Sequence, residues 1–162
     1  EPFWQRASSS GKVLKAHAGE FGPAGNVEHA VTQLGVRRIQ HGIRSSESEK
    51  TMKLLLEEDV TLDLCPISNY KLRVVDELEA HPIRSFMERG IRCTVSTDDP
   101  FSFNNSLNQE YEVLVDSLNF SAPEIGQLAK NGFFVADLED GESAAYQRQI
   151  DELIENACPA DE

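Results

Sequence analysis

Four short β-rich runs, each closed by a polar or thiol residue and followed by a helix-period segment, constrain this sequence most. Val13–Ala16 (VLKA) leads into His17, Val36–Gln40 (VRRIQ) into His41, Val60–Leu64 (VTLDL) into Cys65 and Ile91–Val95 (IRCTV) into Ser96. Positions 17, 41 and 65 are 24 residues apart, which is room for a helical crossover between parallel strands. The segments between them carry helix signals. Val27, Ala30, Val31 and Leu34 share one face, with Gly35 as the stop. Ser46-x-x-Glu49 reads as a capping box ahead of Met52, Leu55 and Leu56. Pro82 sits at a first helical position before Ile83, Phe86 and Met87, and Gly90 terminates that helix. Leu107, Tyr111, Leu114, Val115 and Leu118 form another apolar stripe, and Ser121-x-x-Glu124 opens one more helix. Residues 142–157 read as an acidic surface helix. The chain thus divides into an α/β unit over 1–136 and an acidic helical tail over 137–162, with Asp137–Gly141 as the linker.

Four parallel strands suit either an open doubly wound sheet or part of a (β/α)8 barrel. A complete barrel takes about 250 residues, more than the 162 present. The polar residues favour the barrel, because they follow every strand: His17 and Glu20, His41, Ser68 and Asn69, Asp98 and Asp99. An open sheet concentrates such groups at one switch point, usually with a glycine-rich phosphate loop, and the sequence holds no G-x-G-x-x-G.

Composition narrows the partners. With 15 Lys+Arg against 28 Asp+Glu the formal net charge is -13, which disfavours nucleic acid and anionic membrane surfaces. The apolar runs are too short to span a bilayer. Residues 1–12 have no apolar signal-peptide core and no initiator Met, so the chain is expected to begin partway through a longer protein. Cys65, Cys93 and Cys158 are odd in number and form no C-x-x-C, which suits reduced thiols in the cytoplasm.

The strand ends carry the chemistry. In His17-Ala18-Gly19-Glu20 an imidazole is placed to ligate a metal, and Gly19 lets the backbone turn so that Glu20 faces the same cavity; the alternative is a turn with a solvated Glu. His41 is placed as a general base or water-orienting group, or else as a satisfied core histidine. Asp98-Asp99-Pro100 sets two carboxylates side by side, which is costly without a cation or donors nearby; the alternative is a solvated acidic turn. Pro100 holds Asp99 extended and so splays the two side chains toward different partners. Cys65-Pro66-Ile67-Ser68-Asn69 reads as a Pro-fixed supporting loop, and His29 and His81 as surface residues or caps.

Together, H-A-G-E (His17–Glu20), R-I-Q-H-G (Arg38–Gly42), C-P-I-S-N (Cys65–Asn69) and S-T-D-D-P (Ser96–Pro100) resemble the adenosine/adenine/AMP deaminase family in order and spacing, over roughly residues 13–136. The resemblance implies a zinc (β/α)8 TIM barrel, α/β in class, of which this chain is similar to the C-terminal half, strands five to eight, with C-terminal helices. It implies hydrolytic deamination of a small-molecule purine, adenosine or adenine, to inosine or hypoxanthine and ammonia. His17 and Asp98 would then be zinc ligands, and Glu20 the acid that protonates purine N1. His41 would deprotonate or orient the attacking water, and Asp99 would hydrogen-bond N7, with Gly19 beside it in the substrate-binding set.

The family's H-x-H pair, which supplies its other two zinc ligands, is not in this sequence, whose histidines are His17, His29, His41 and His81. The resemblance therefore implies an incomplete zinc site in this chain alone. It also implies a partner, either a complementary N-terminal half or a second copy, meeting an apolar inward face and two open sheet edges. An inert deaminase-like or purine-binding module, and deamination of another 6-aminopurine such as aminodeoxyfutalosine, are the alternatives.

Overall fold

A computed structural model of the chain describes residues 2–139 and 141–157. After helix α1 (Pro2–Ser9) the chain alternates: β1 (Lys15–Ala18), α2 (Ala24–Leu34), β2 (Arg38–His41), α3 (Glu49–Glu57), β3 (Thr61–Leu64), α4 (Pro66–Lys71), α5 (Ile83–Glu88) and β4 (Arg92–Val95). Four helices follow: α6 (Pro100–Phe103), α7 (Leu107–Asp116), α8 (Ala122–Phe134) and α9 (Glu142–Ala157). The strands pair in chain order, all parallel, so His17, Gln40, Asp63 and Thr94 stand in one row across the sheet.

Side chains alternate between the two faces of the sheet. Ala16, Ile39, Leu62, Leu64 and Cys93 point toward the helices and close a core with Val27, Val31, Met52, Leu55, Ile83, Phe86, Leu114 and Leu128. The opposite face is polar, not apolar as expected, because the alternate positions hold Lys15 and His17, Arg38 and Gln40, Thr61 and Asp63, Arg92 and Thr94. Buried Asp63 ties this face together: it accepts from Lys15 (2.7 Å), Arg38 (2.8 Å) and Thr94 (2.6 Å). Burial alone would raise its pKa, but these hydrogen bonds outweigh it and hold the carboxyl below its usual range. The β4 edge is not fully open either, since Asn131 Nδ2 on α8 donates to the Cys93 carbonyl at 2.8 Å.

Local signals held where one residue type dictated the geometry. Gly35 caps α2, the Ser121/Glu124 capping box opens α8, and α9 runs from Glu142 to Ala157 with Ile150 and Ile154 set over Gly126 of α8. The Ser46 box did not form. A 3-10 turn over Ile43–Glu47 follows β2, Ser46 Oγ donates back to the Ile43 carbonyl, and Ser48 becomes the cap, accepting from the Thr51 amide. Pro66 opens helix α4 where a loop was expected, because its fixed φ suits the first helical position. Pro82 stands one residue before α5, as its cap. Among the described residues no helix is long and apolar enough to cross a membrane.

Candidate active site

The chain leaves β1, β2 and β4 through residues in the left-handed region: Gly19 at φ 65°, His41 at 67°, Gly42 at 69° and Asp98 at 60°. For His41 and Asp98 this backbone is costly, and such strain gathers where a side chain must be aimed. Two backbone bonds extend the ladder beyond the strands, from the Gly42 amide to the Ala18 carbonyl (2.9 Å) and from the Arg44 amide to the Gly19 carbonyl (2.8 Å). They lock the His17–Glu20 turn against the His41 turn. A Cβ on Gly42 would lie 2.7 Å from Leu62 Cδ2 and 3.2 Å from Ile39 Cγ2, both in the core. Gly42→Ala is therefore expected to cost about 2 kcal/mol or more, from disallowed φ plus overpacking. A denaturant midpoint unchanged from wild type would refute that.

The turns bring three potential ligand residues together: atoms of His17, His41 and Asp98 all lie within 4.8 Å of one another. The rings of His17 and His41 are 5.3 Å apart between centroids, and His41 Nε2 is 3.5 Å from Glu20 Oε2. His17 is exposed on the inward face, Asp98 is half-buried and His41 is buried. Burial, then the negative charge of Asp98, pushes the Glu20 carboxyl above its usual pKa, while His17 pulls against both. Burial pushes His41 down, opposed by Asp98 and aided by His17. Glu20 is thus biased toward holding a proton and His41 toward being neutral.

Asp99 turns elsewhere. Its exposed carboxylate caps α6, accepting from the amides of Phe101 (3.2 Å) and Ser102 (3.1 Å) and from the Ser102 hydroxyl, and the Ser102 bonds hold its pKa low. The adjacent carboxylates therefore do take different partners, since Ser68 Oγ donates to Asp98 Oδ2 at 2.7 Å. Cys65 and Cys93 are free and buried, and burial pushes the Cys65 thiol up to about 12; Cys158 lies outside the described residues. His29 is exposed as expected.

Two functional-looking groups went unread in the sequence. His81, expected at the surface, is 4% exposed, and Asn69 lies between it and His41. Asn69 Nδ2 is 3.3 Å from His41 Nδ1, and His81 Nε2 is 3.2 Å from Asn69 Oδ1. Glu110 on α7 is fully buried; it accepts from the Ile67 amide (3.1 Å) and from Asn105 Nδ2 (2.5 Å), which also donates to the Thr97 carbonyl beside Asp98 (3.1 Å). Burial raises this carboxyl to about 7 against those bonds. Its signal was a charge inside the apolar stripe, between Leu107 and Leu114.

Comparison with known proteins places this geometry. The sequence matches the family model described as adenosine deaminase over residues 1–153. It is 37% identical over 151 residues to the adenine deaminase of Marinomonas sp. (strain MWYL1), covering 93% of this chain and 45% of that protein. Over 151 residues it is 39% identical to the adenine deaminase of Sphingopyxis alaskensis, covering 93% and 44%. The chain therefore spans a little under half the length of the curated relatives it matches. Among solved structures, the adenine deaminase from Arthrobacter aurescens superposes with a TM-score of 0.90 at 37% identity, over 95% of this chain and 47% of that one. An amidohydrolase from Burkholderia ambifaria, solved with bound zinc, gives a TM-score of 0.84 at 27% identity over 98% and 45%. The α/β half-barrel expected from the strand-end pattern is thus the fold the chain has.

Proposed function

Because the chain belongs to the adenosine deaminase family, we propose that it supplies the proton-handling side of a site that hydrolytically removes the 6-amino group of a purine, adenine first among them. The observation that carries this is the meeting of His17, His41, Asp98 and Glu20 at one end of the sheet. The relatives at 37% and 39% identity are adenine deaminases, which favours the free base over the nucleoside.

The reaction adds water across C6 and N1 and then expels ammonia, leaving a carbonyl at C6. Glu20, whose pKa burial and Asp98 raise, delivers its proton to N1 as water oxygen bonds to C6; the carboxylate left behind takes up the two protons of that oxygen in turn, one passing to the departing amine and one restoring the acid. His41, its pKa lowered by burial, has Nε2 3.5 Å from Glu20 Oε2 and orients the attacking water beside that carboxyl. The backbone at Gly19 contacts the purine edge, and Asp99 reaches it only on giving up its capping bonds to Phe101 and Ser102.

The donor set fits zinc in part. His17 offers an imidazole and Asp98 a carboxylate, and Ser68 holds one oxygen of that carboxylate. Three or four protein ligands are usual, so the others would come from the part of its relatives' length that this chain does not span. An ion bound there supplies the Lewis acidity that makes water a nucleophile at neutral pH.

The test is an assay of the full-length protein, zinc-loaded, on adenine and adenosine, with ammonia and the 6-oxopurine product both measured. Adenine should be turned over and adenosine at least about 10-fold less efficiently. A zinc-loaded protein that releases no ammonia from any 6-aminopurine would overturn the proposal.

A further inference from the structure

His81, Asn69 and His41 form a buried file with one fixed end. The Ile83 amide, opening α5, lies 3.2 Å from His81 Nδ1. His81 Nε2 lies 3.2 Å from Asn69 Oδ1, and Asn69 Nδ2 lies 3.3 Å from His41 Nδ1. His41, Asn69 and His81 are 1%, 0% and 4% exposed, so water does not compete for these bonds. We infer that this file is polarised in one direction by the Ile83 amide and holds His41 as the Nε2-protonated tautomer, with Asn69 and His81 as its positioning residues. The inference deepens the proposed function and rests on it only for the meaning of the His41 proton.

The direction follows from donor and acceptor counting. A backbone N–H only donates, so His81 Nδ1 must accept and carries no hydrogen. Burial pushes His81 down to about 3, so it is neutral and its one ring hydrogen is on Nε2. That hydrogen needs an acceptor, and Asn69 offers its carbonyl oxygen. Turning the amide over would set an N–H against an N–H, which the buried setting does not forgive. With the amide so fixed, Asn69 Nδ2 donates to His41 Nδ1. An Nδ1 that accepts carries no hydrogen, so the ring hydrogen of His41 is on Nε2, the atom that faces Glu20 Oε2 at 3.5 Å.

The consequence is chemical. An Nε2 that carries hydrogen neither takes a proton at that atom nor binds a cation through it. Of the three clustered residues, His41 is therefore a hydrogen-bond donor into the site, and His17 and Asp98 are left as the metal donors. Between the two roles implied for His41 by resemblance, orientation is favoured over deprotonation.

The test is ring 15N shifts of His41 and His81 in the 15N-histidine-labelled full-length protein at neutral pH. Both rings should show a hydrogen on Nε2 and none on Nδ1. A hydrogen on His41 Nδ1 would overturn the inference. Asn69→Asp supplies a second readout, because a carboxylate accepts from both neighbours and should draw the His41 hydrogen onto Nδ1. In that variant kcat should fall by about 10- to 100-fold, with KM and zinc content within roughly two-fold of wild type. His41 keeping its wild-type tautomer in Asn69→Asp would also overturn the inference. The ring shifts are read without turnover, so a protein that deaminates no purine would sink the proposed function and leave the tautomer assignment decided on its own.

Discussion

Glu20→Gln in the full-length protein is expected to lower kcat by about 10²- to 10⁴-fold while zinc content and fold stay as they are. Gln keeps the length and shape of the side chain, and its carbonyl oxygen can still accept from His41 Nε2, which faces Glu20 at 3.5 Å. What it lacks is a transferable proton. The native carboxyl is primed to hold one, since burial and the Asp98 charge raise its pKa. Removing a group that acts only as N1 gains its proton should lower kcat and kcat/KM together, with little change in substrate affinity. The exposed His29 is the control, and His29→Ala should leave turnover as it was. A Glu20→Gln rate within a few-fold of wild type would remove Glu20 from the acid role.

Asp98→Ala should lose the metal itself. Asp98 is the only carboxylate among the three clustered groups found in the described residues. Its loss also leaves Ser68 Oγ without the partner it holds at 2.7 Å. The left-handed backbone at φ 60° tolerates Asp better than Ala, so the variant should also be less stable by about 1 kcal/mol. Elemental analysis after dialysis should find zinc at background, with ammonia release undetectable. Stoichiometric zinc in the dialysed variant would show that Asp98 is not a ligand. The contrast between the two variants matters most: one inactive with metal, the other inactive without it.

The barrel character of this chain was legible because each strand end carries its own polar group, and strand ends are where periodicity breaks. His17, Glu20, His41 and Asp98 were each named from that position, and the structure brings them together. The polar inward face was equally written in the strands, in Lys15, Arg38, Asp63 and Arg92, but an isolated charge in a four-residue run does not announce its partner. Asp63 makes sense only once β1, β2 and β4 stand in register beside it. His81 was hidden for a related reason. A histidine before proline has no periodicity of its own, and its burial depends on α5 folding back toward Asn69, a neighbour 12 positions away in sequence. Ser46 lost its capping role to a 3-10 turn that is set by the positive φ of Gly42, upstream of any pattern in the helix itself.

The order of the strands has a consequence for how the chain is made. Among the described strands each one after the first hydrogen-bonds the strand before it, and none of these three pairings waits for a strand beyond the next βα unit. A ribosome adding about 5–20 residues per second releases one such unit in roughly 1–5 s. Helices form in about a microsecond and loops close faster still, so every unit has ample time to settle on its predecessor before the next emerges. The apolar contacts lie on the helix side of the sheet, where each new helix lands as soon as it is synthesised. The ion-paired side asks for nothing apolar while it is bare. Synthesis and assembly can therefore run in the same direction at the same pace, with little sticky surface shown to neighbours along the way.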